Sequence, residues 1–569
     1  MQSLRELAFR RSRRQRHRGP DHTGLLVDEQ EGFALVQERL SVVGVKTGRQ
    51  PLTSTDGTVL LVANGEIYNY RHLASLIDGY EPRSDCDVLV ALYERVGPDE
   101  LLQQVRGMFA FVLYDRKTCE LLVARDPVGI IPLYVGWDDA GGLWFASEMK
   151  SLVGYCTDVS VFPPGHSYFG PREGFEARPY FNAPWMTEIP TDTADLTELR
   201  HRLEAAVESH LQCDVPLGAL LSGGLDSSLI ASIATRLLRK KLADPSYRLK
   251  TYSIGLAGEG SDLQYARAVA DHIGSDHTEV HFSVAEGLDL VREAIYHAET
   301  YDVTTIRCIV PVMLLARAIR ADGIKVVLSG EGADELFGGY LYFHQAPNSA
   351  EFHRETVRRV SGLHLSDCLR ANKGCAAWGV ELRVPFLDTD FLQYVMAIRP
   401  EDRVPVSADG ALEKSILRRA FAEDDYLPPD VLWRQKEQFS DGVGYTWIDS
   451  IAQWASDRVD ERDFEASDEH FPFNTPSTKE AFYYRAVFEE LFPGQAYAET
   501  VQRWVPRTDW GCPEDPSGRK QRAHRAKACD LTLLVQICFL VFLFFSTQQL
   551  VWCIKSMSVL LNVYNNDIP

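Results

Sequence analysis

The chain has 569 residues, 45% hydrophobic and 24% charged, with a formal net charge of −21. That length exceeds one ordinary domain and predicts two or more folded units, and the acidic balance excludes a general nucleic-acid binder, which needs clustered Lys and Arg against phosphates. The 11 cysteines form no CxxC pair and no Cys/His ligand spacing, which argues against structural zinc and a disulfide framework and for reduced thiols in the cytosol.

Residues 1–18 carry Arg5, Arg10, Arg11, Arg13, Arg14, Arg16 and Arg18 without a signal-type apolar core. A mitochondrial presequence would share that composition, but Leu4, Leu7 and Ala8 have the spacing of a structural helix with one buried face. Residues 25–180 read as β-rich, with predicted strands at Thr58–Asn64, Phe109–Tyr114, Leu121–Arg125, Leu143–Ala146 and Tyr155–Val161, enough for two layers of sheet. Residues 183–195 hold turn formers and few aliphatics and are predicted to be a linker.

From Leu196 strands alternate with helices. Val215–Leu221, Thr251–Leu256, Thr278–Phe282 and Ile324–Leu328 are predicted strands, with helices over Ser228–Arg239, Asp262–Ile273 and through Met313–Ile319. This alternation predicts a parallel sheet covered by helices, followed by a mainly helical stretch to about Trp510. Beyond a basic flank, Leu531–Ile554 holds no charged residue. At about 1.5 Å per residue a helix there could cross a bilayer core of about 30 Å. The basic flank would keep the body on the cytosolic side. A tail anchor and an intron-derived extension both remain open readings of this tail.

Two glycine-rich loops carry the chemistry. Ser222-Gly223-Gly224-Leu225-Asp226-Ser227-Ser228 lies between a predicted buried strand and a helix. Glycines let backbone N–H groups approach an anion, and the helix start adds unpaired donors and a positive dipole end. The loop lacks the Gly-Lys-Ser/Thr ending of a Walker motif, so γ-phosphate transfer is not implied. Ser329-Gly330-Glu331-Gly332-Ala333-Asp334-Glu335 follows another predicted strand, so both loops can meet at the carboxyl edge of one sheet. Its three carboxylates would repel one another unless a cation sits among them.

The first loop resembles the pyrophosphatase loop of enzymes that split ATP into AMP and pyrophosphate. The second is similar to that of the glutamine-hydrolysing asparagine synthetase family, and the likeness covers residues 16–518 in order. It implies ATP contacts by Leu220, Leu221, Ser222, Gly223, Gly224, Asp226, Ser227, Ile254, Ser329 and Gly330. It implies Mg²⁺ ligation by Asp226 and Asp334, and catalytic roles for Glu331 in forming β-aspartyl-AMP and for Lys436 in stabilising charge. Glu299–Arg307 resembles the family's aspartate and phosphate region, with Thr304, Thr305 and Arg307 as contacts.

The β-rich part resembles a terminal-nucleophile glutamine amidotransferase at Arg16–Asp21, Arg39–Val43, Asn64–Asn69, Ser84–Asp87 and Ala124–Ile130. The resemblance implies that Arg39 and Asp85 hold the ends of glutamine, that Leu40, Ser41, Val42 and Val43 line its site, that Asn64 and Gly65 form the oxyanion hole, and that Glu66 adds a contact. The family's nucleophile is a cysteine exposed after Met removal, whose α-amino group is the base. This sequence has Gln2 there and enters the arginine-rich helix at once, leaving no room for a first strand of about 5–6 residues. Cys86 has no terminal amine and cannot replace it. Either the start lies upstream or the glutaminase half is inactive; retention of the glutamine-binding residues favours the former.

The implied fold class is α/β and α+β. An αββα sandwich spans residues 1–182 and a linker 183–195. A doubly wound parallel sheet of ATP-pyrophosphatase type spans 196–518, and a basic flank with the apolar tail 519–569. The implied reaction is ATP-dependent amidation of L-aspartate to L-asparagine in the cytosol, with nitrogen from L-glutamine or ammonia and Mg²⁺ as cofactor. The resemblance also implies a homodimer, and no nucleic-acid partner. Two alternatives are a related carboxylate-adenylating amide or β-lactam synthetase, and a non-catalytic member that keeps the fold for binding.

Overall fold

A computed structural model of the chain describes residues 3–259, 261–405, 412–437 and 439–515. The arginine-rich start is a structural helix, Leu4–Ser12, opened by Ser3, whose Oγ accepts the Glu6 N–H at 3.3 Å. Leu7, Ala8 and Ser12 are buried. Arg11 binds Val153 O at 2.7 Å and Arg14 binds Lys150 O at 2.8 Å, while Arg16 pairs with Glu38 at 2.7 Å.

Strands β1 (His22–Asp28) and β2 (Phe33–Arg39) form an antiparallel hairpin with Leu25 opposite Val36. Next come β3 (Leu52–Thr53), β4 (Val59–Ile67), β5 (Gly107–Asp115) and β6 (Glu120–Arg125), then β7 (Tyr134–Asp138), β8 (Leu143–Ala146), β9 (Cys156–Val161), β10 (His166–Gly170) and β11 (Arg178–Pro179). A six-stranded antiparallel sheet has the order β11-β10-β6-β5-β4-β3, and a three-stranded one the order β8-β7-β9.

The central strand β5 is buried from Met108 to Asp115, which the two-residue period explains. Phe109, Phe111 and Leu113 meet the helical segments around Leu73, Leu89 and Leu101, while Met108, Ala110 and Val112 meet Tyr134, Ala146 and Val159 of the smaller sheet. Helices thus cover one face of the six-stranded sheet. The hairpin and the β8-β7-β9 sheet cover the other, with helix Leu4–Ser12 outermost: an αββα sandwich.

Five parallel strands follow: β12 (Leu217–Leu220), β13 (Lys250–Leu256), β14 (Asp276–Phe282), β15 (Val326–Leu328) and β16 (Glu381–Arg383), ordered β14-β13-β12-β15-β16. The chain proceeds from β12 toward one edge and from β15 toward the other. The crevice between the carboxyl ends of β12 and β15 is therefore the switch point where ligands bind in such sheets. Residues 183–195 are more than a linker: Trp185 is buried with its carbonyl 2.9 Å from His353 Nε2, and Asp192 bridges to Ile398. No described helix is long and apolar enough to cross a membrane, and the apolar stretch 531–554 lies outside the described residues.

A buried ionic cluster joins the antiparallel and parallel parts. Glu299 accepts the backbone N–H of Met149 at 2.8 Å and of Lys150 at 2.7 Å, and its carboxylate pairs with Lys150 Nζ at 2.8 Å and with Lys373 Nζ. Glu148 pairs with Lys150 and, at 2.7 Å, with Arg18. All four carboxylate and ammonium side chains of Glu148, Lys150, Glu299 and Lys373 are 0–1% exposed. Removing one member of a buried ion network strands the others, a cost of about 3–5 kcal/mol. Glu299→Ala is therefore expected to destabilise the protein by about 3–5 kcal/mol, read as a lowered thermal unfolding midpoint; an unchanged midpoint would deny the cluster its joining role.

Candidate functional site

The crevice at β12 and β15 is built by backbone constraint. After β12 the chain passes through Gly223 at φ +78° and enters helix Leu225–Leu242, whose N-cap Gly224 offers no capping side chain. The first-turn N–H groups are left for a ligand. Ser227 Oγ accepts the Ser222 N–H at 3.1 Å and lies 3.0 Å from Ser222 Oγ, which fixes the turn. The second loop is pressed against the first: a Cβ on Gly330 would lie 2.6 Å from Ser227 N and 2.8 Å from Asp226 C.

Charge is concentrated between the loops. Lys414 Nζ contacts Asp226 Oδ2 at 2.5 Å and Asp334 Oδ1 at 2.6 Å, and Lys436 Nζ contacts Asp334 Oδ2 at 2.6 Å. Burial opposes ionisation of Asp334, but the two ammonium groups outweigh it and hold its carboxyl well below the usual range. The same carboxylates hold Lys436 above its usual range despite burial. Asp226 Oδ1 is buried without a hydrogen-bond partner. Two aspartates sharing one ammonium, one with a spare oxygen, suit a hard cation that also bears phosphate oxygens. Among the described residues, no group of three His, Cys, Asp or Glu side chains could hold a metal by itself.

Glu331 lies at the same cavity, 3.6 Å from Arg370, which is held by Asp367 at 2.5 Å. Burial pushes its carboxyl up to about 7 against the pull of Arg370, with Asp367 adding to the rise. The cavity measures about 140 Å³ and pairs an apolar end at Leu220, Ile254 and Leu263 with this polar end.

Of the sequence-predicted residues here, Leu220, Leu221, Ser222, Gly224, Asp226, Ser227, Ile254, Thr304, Ser329, Gly330, Glu331, Asp334 and Lys436 line the cavity. Gly223 acts through the turn. Thr305 and Arg307 are turned elsewhere. The Thr305 hydroxyl donates to Asp302 at 2.8 Å, and Arg307 forms a two-pronged pair with Glu480 at 2.9 and 2.6 Å. In helix Val303–Ala321 each residue rotates about 100° from the last, which turns Thr305 away from Thr304, whereas Arg307 is drawn aside by Glu480. Sequence reasoning missed Lys414, Asp367 and Arg370. The i, i+3 pair Asp367/Arg370 was a readable signal; Lys414 had none.

A second cavity, of about 90 Å³, lies between the antiparallel part and helix Asp367–Ala376. Arg39, Leu40, Val42, Val43, Asn64, Gly65, Glu66 and Asp85 line it, together with Asn372, Ala376 and Glu381 from the other part. Ser41 stays out of its wall and donates its N–H to Asp21 at 2.8 Å. The Arg39 guanidinium is fixed by the carbonyls of Val43, Gly44 and Val45 at 2.9–3.2 Å. Asn64 Nδ2 donates to Ser147 Oγ at 3.0 Å. Gly65, at φ +130°, admits no Cβ because Met108 O would lie 2.0 Å away. Asp85 accepts the Ile67 N–H at 2.9 Å and is pushed by burial up to about 6. Glu66 pairs with the fully buried Arg383 at 3.1 Å. Cys86 also lines this cavity, but burial, then Asp85 and Glu66, push its thiol well above the usual range. It stays protonated and is a poor nucleophile.

Residues 198–351 and 345–510 match the family model described as asparagine synthase, and residues 2–166 match that of a glutamine amidotransferase domain. The chain is 48% identical over 550 residues to the probable glutamine-hydrolyzing asparagine synthetase of Schizosaccharomyces pombe, covering 92% of this chain and 97% of that protein. It is 47% identical over 545 residues to glutamine-hydrolyzing asparagine synthetase B of Escherichia coli K12, with the same coverage. It is 46% identical over 541 residues to the maize enzyme of that name, covering 92% and 91%.

The contact of the two loops at Gly330 makes a direct prediction. Gly330→Ala must separate backbone from backbone, and misplacement of about 1 Å in such a site costs about 10²-fold. The variant is expected to fold with an unchanged circular dichroism spectrum and to lose about 10²-fold in ATP-dependent turnover; wild-type turnover would show that the loops need not touch.

Proposed function

The chain belongs to the asparagine synthetase family, and from that premise we propose that it converts L-aspartate to L-asparagine at the β12/β15 crevice, consuming ATP. A carboxylate oxygen of aspartate attacks the α-phosphorus of ATP, forming β-aspartyl-AMP and expelling pyrophosphate. Ammonia then attacks the activated acyl carbon and AMP leaves with the bonding pair. Activation is required because a free carboxylate is a poor electrophile.

The observation that carries this reading is the shared charge cluster Asp226–Lys414–Asp334–Lys436 beside an uncapped helix start. The helix start and Ser222 bind the phosphates, and Lys436 stabilises charge on the departing group. Asp226 and Asp334 would hold Mg²⁺, which supplies charge neutralisation on the pyrophosphate when bound. The Glu331 carboxyl, poised at about 7, can hold or release a proton beside the reacting carboxylate. Leu220 and Ile254 frame the adenine. Arg370 is the wall guanidinium beside Glu331, at 3.6 Å, so it and Thr304 position aspartate, while Arg307 supports the wall through Glu480.

In the second cavity Arg39 and Asp85 bind the ends of glutamine, and Asn64 with Gly65 faces its amide oxygen. The Cys86 thiol in this cavity, held protonated by burial, is a poor nucleophile. The nitrogen donor is L-glutamine or ammonia. Helix Asp367–Ala376 touches both cavities and is the natural guide for ammonia between them.

With ATP, Mg²⁺, aspartate and ammonium at alkaline pH, the protein is expected to form AMP, pyrophosphate and asparagine in equal amounts; absence of product there would overturn the assignment. Glu331→Gln should abolish aspartate-dependent pyrophosphate exchange while ATP affinity is kept, and retained exchange would make Glu331 structural.

A further inference from the structure

The short strand β16 meets both cavities. Glu381 and Arg383 lie two positions apart, so their side chains share one face of the strand. Glu381 lines the second cavity. The Arg383 side chain is 0% exposed and reaches two carboxylates of that cavity, with Nη2 3.1 Å from Glu66 and Nε donating to Glu381 at 2.8 Å. Its remaining nitrogen is pinned, since Nη1 donates to the carbonyls of His210 at 2.7 Å and Gln212 at 2.8 Å. On the main chain, the Arg383 carbonyl accepts the Ser329 N–H at 2.9 Å, and Ser329 Oγ accepts the Glu331 N–H at 3.3 Å. Ser329 and Glu331 line the nucleotide cavity. One residue thus meets one cavity through its side chain and the other through its backbone.

The side-chain end is short of positive charge. Glu66, Asp85 and Glu381 all line the second cavity. Of the cations there, Arg18 is taken by Glu148 and Arg39 is held by backbone carbonyls. The Nη2 contact with Glu66 is close but forms no hydrogen bond. Burial, then the charges of Asp85 and Glu381, push the Glu66 carboxyl well above its usual range against the pull of Arg383. An α-ammonium group supplies the charge that is wanting.

We propose that Arg383 is a positioning residue that couples the two cavities, so that glutamine bound in the second tightens the binding of MgATP in the first. The proposal rests on the assignment of the second cavity to glutamine. An α-ammonium beside Asp85 and Glu66 takes over the Glu66 charge and releases Nη2, the loosest contact of the guanidinium. Glu381 is then the single carboxylate partner of Arg383, and both lie on one strand. That strand is drawn to one position, and Ser329 is held to it through the Arg383 carbonyl. The loop that opens on Ser329 and Gly330 is thereby set before the nucleotide arrives, and less ordering is left for the nucleotide to impose. Linkage requires the reverse effect as well: MgATP tightens glutamine by the same factor.

The test uses the full 569-residue protein without aspartate, so that ATP is bound and not consumed. Excess L-glutamine alone is expected to raise the thermal unfolding midpoint. Equilibrium dialysis of labelled ATP with Mg²⁺ is expected to show affinity about fivefold or more higher when glutamine is present. Glu381→Gln keeps an acceptor for Arg383 Nε and removes the charge. It should abolish the effect of glutamine on ATP and leave the affinity for MgATP alone as it was. Arg383→Lys keeps the charge but cannot span both carboxylates and both carbonyls, and should do the same; if it fails to fold, Glu381→Gln decides. A midpoint indifferent to glutamine would overturn the assignment of the second cavity and the coupling with it. A raised midpoint with ATP affinity indifferent to glutamine would overturn the coupling alone. Coupling that survives Glu381→Gln would overturn the role of Arg383.

Discussion

The arrangement of both cavities depends on one buried carboxylate. Glu299 holds two backbone N–H groups of the antiparallel part and the ammonium of Lys373, which lies in the middle of helix Asp367–Ala376. That helix gives Asp367 and Arg370 to the nucleotide cavity and Asn372 and Ala376 to the second cavity. A shift of this one helix would change both sites together. Desolvating two carboxylates and two ammonium groups is costly, and only close pairing with further hydrogen bonds offsets it. The cluster meets that condition, since Lys373 also reaches Tyr134 OH at 2.9 Å and Arg18 reaches both Glu148 and Asn372.

A second constraint is steric. Gly330 abuts the backbone of Asp226 and Ser227, Gly223 abuts that of Asp262 and Ala266, and a Cβ on Gly339 would lie 2.1 Å from both Asp334 Oδ1 and Lys414 Cε. The glycines allow the carboxylates and ammonium groups to approach within hydrogen-bond distance while both loops still follow directly from strand ends. Packing and charge are thus solved by the same residues, and the family resemblance of the loops has a physical basis in that double demand.

Much of this was legible in the sequence because it is local. The two glycine loops, the strand–helix alternation and the buried face of the first helix each depend on residues a few positions apart. The observed strands β4, β5, β6 and β8 fall where the apolar, β-branched pattern places them. What was not legible arises from long-range placement. Lys414 enters from a segment 188 positions beyond Asp226, at a left-handed φ of +61° that no pattern announces. Thr305 follows Thr304 in sequence yet turns away because the segment is helical, and Arg307 is taken up by Glu480, 173 positions away. Trp185 turns an apparently polar connector into part of the core.

The Lys414 bridge has a consequence for the order of events in the crevice. With its ammonium between Asp226 and Asp334, the resting protein already carries an internal counter-ion. The carboxylates need no outside ion to be tolerated in the fold. A free divalent ion meets charge that is already compensated and gains little by binding alone. In the proposed reaction, the same ion carried on a nucleotide would bring phosphates for Lys414 and Lys436 to hold instead. Under the proposed reaction, Lys414 would be a place-holder that exchanges its carboxylate partners for phosphate oxygens when a metal–nucleotide chelate binds.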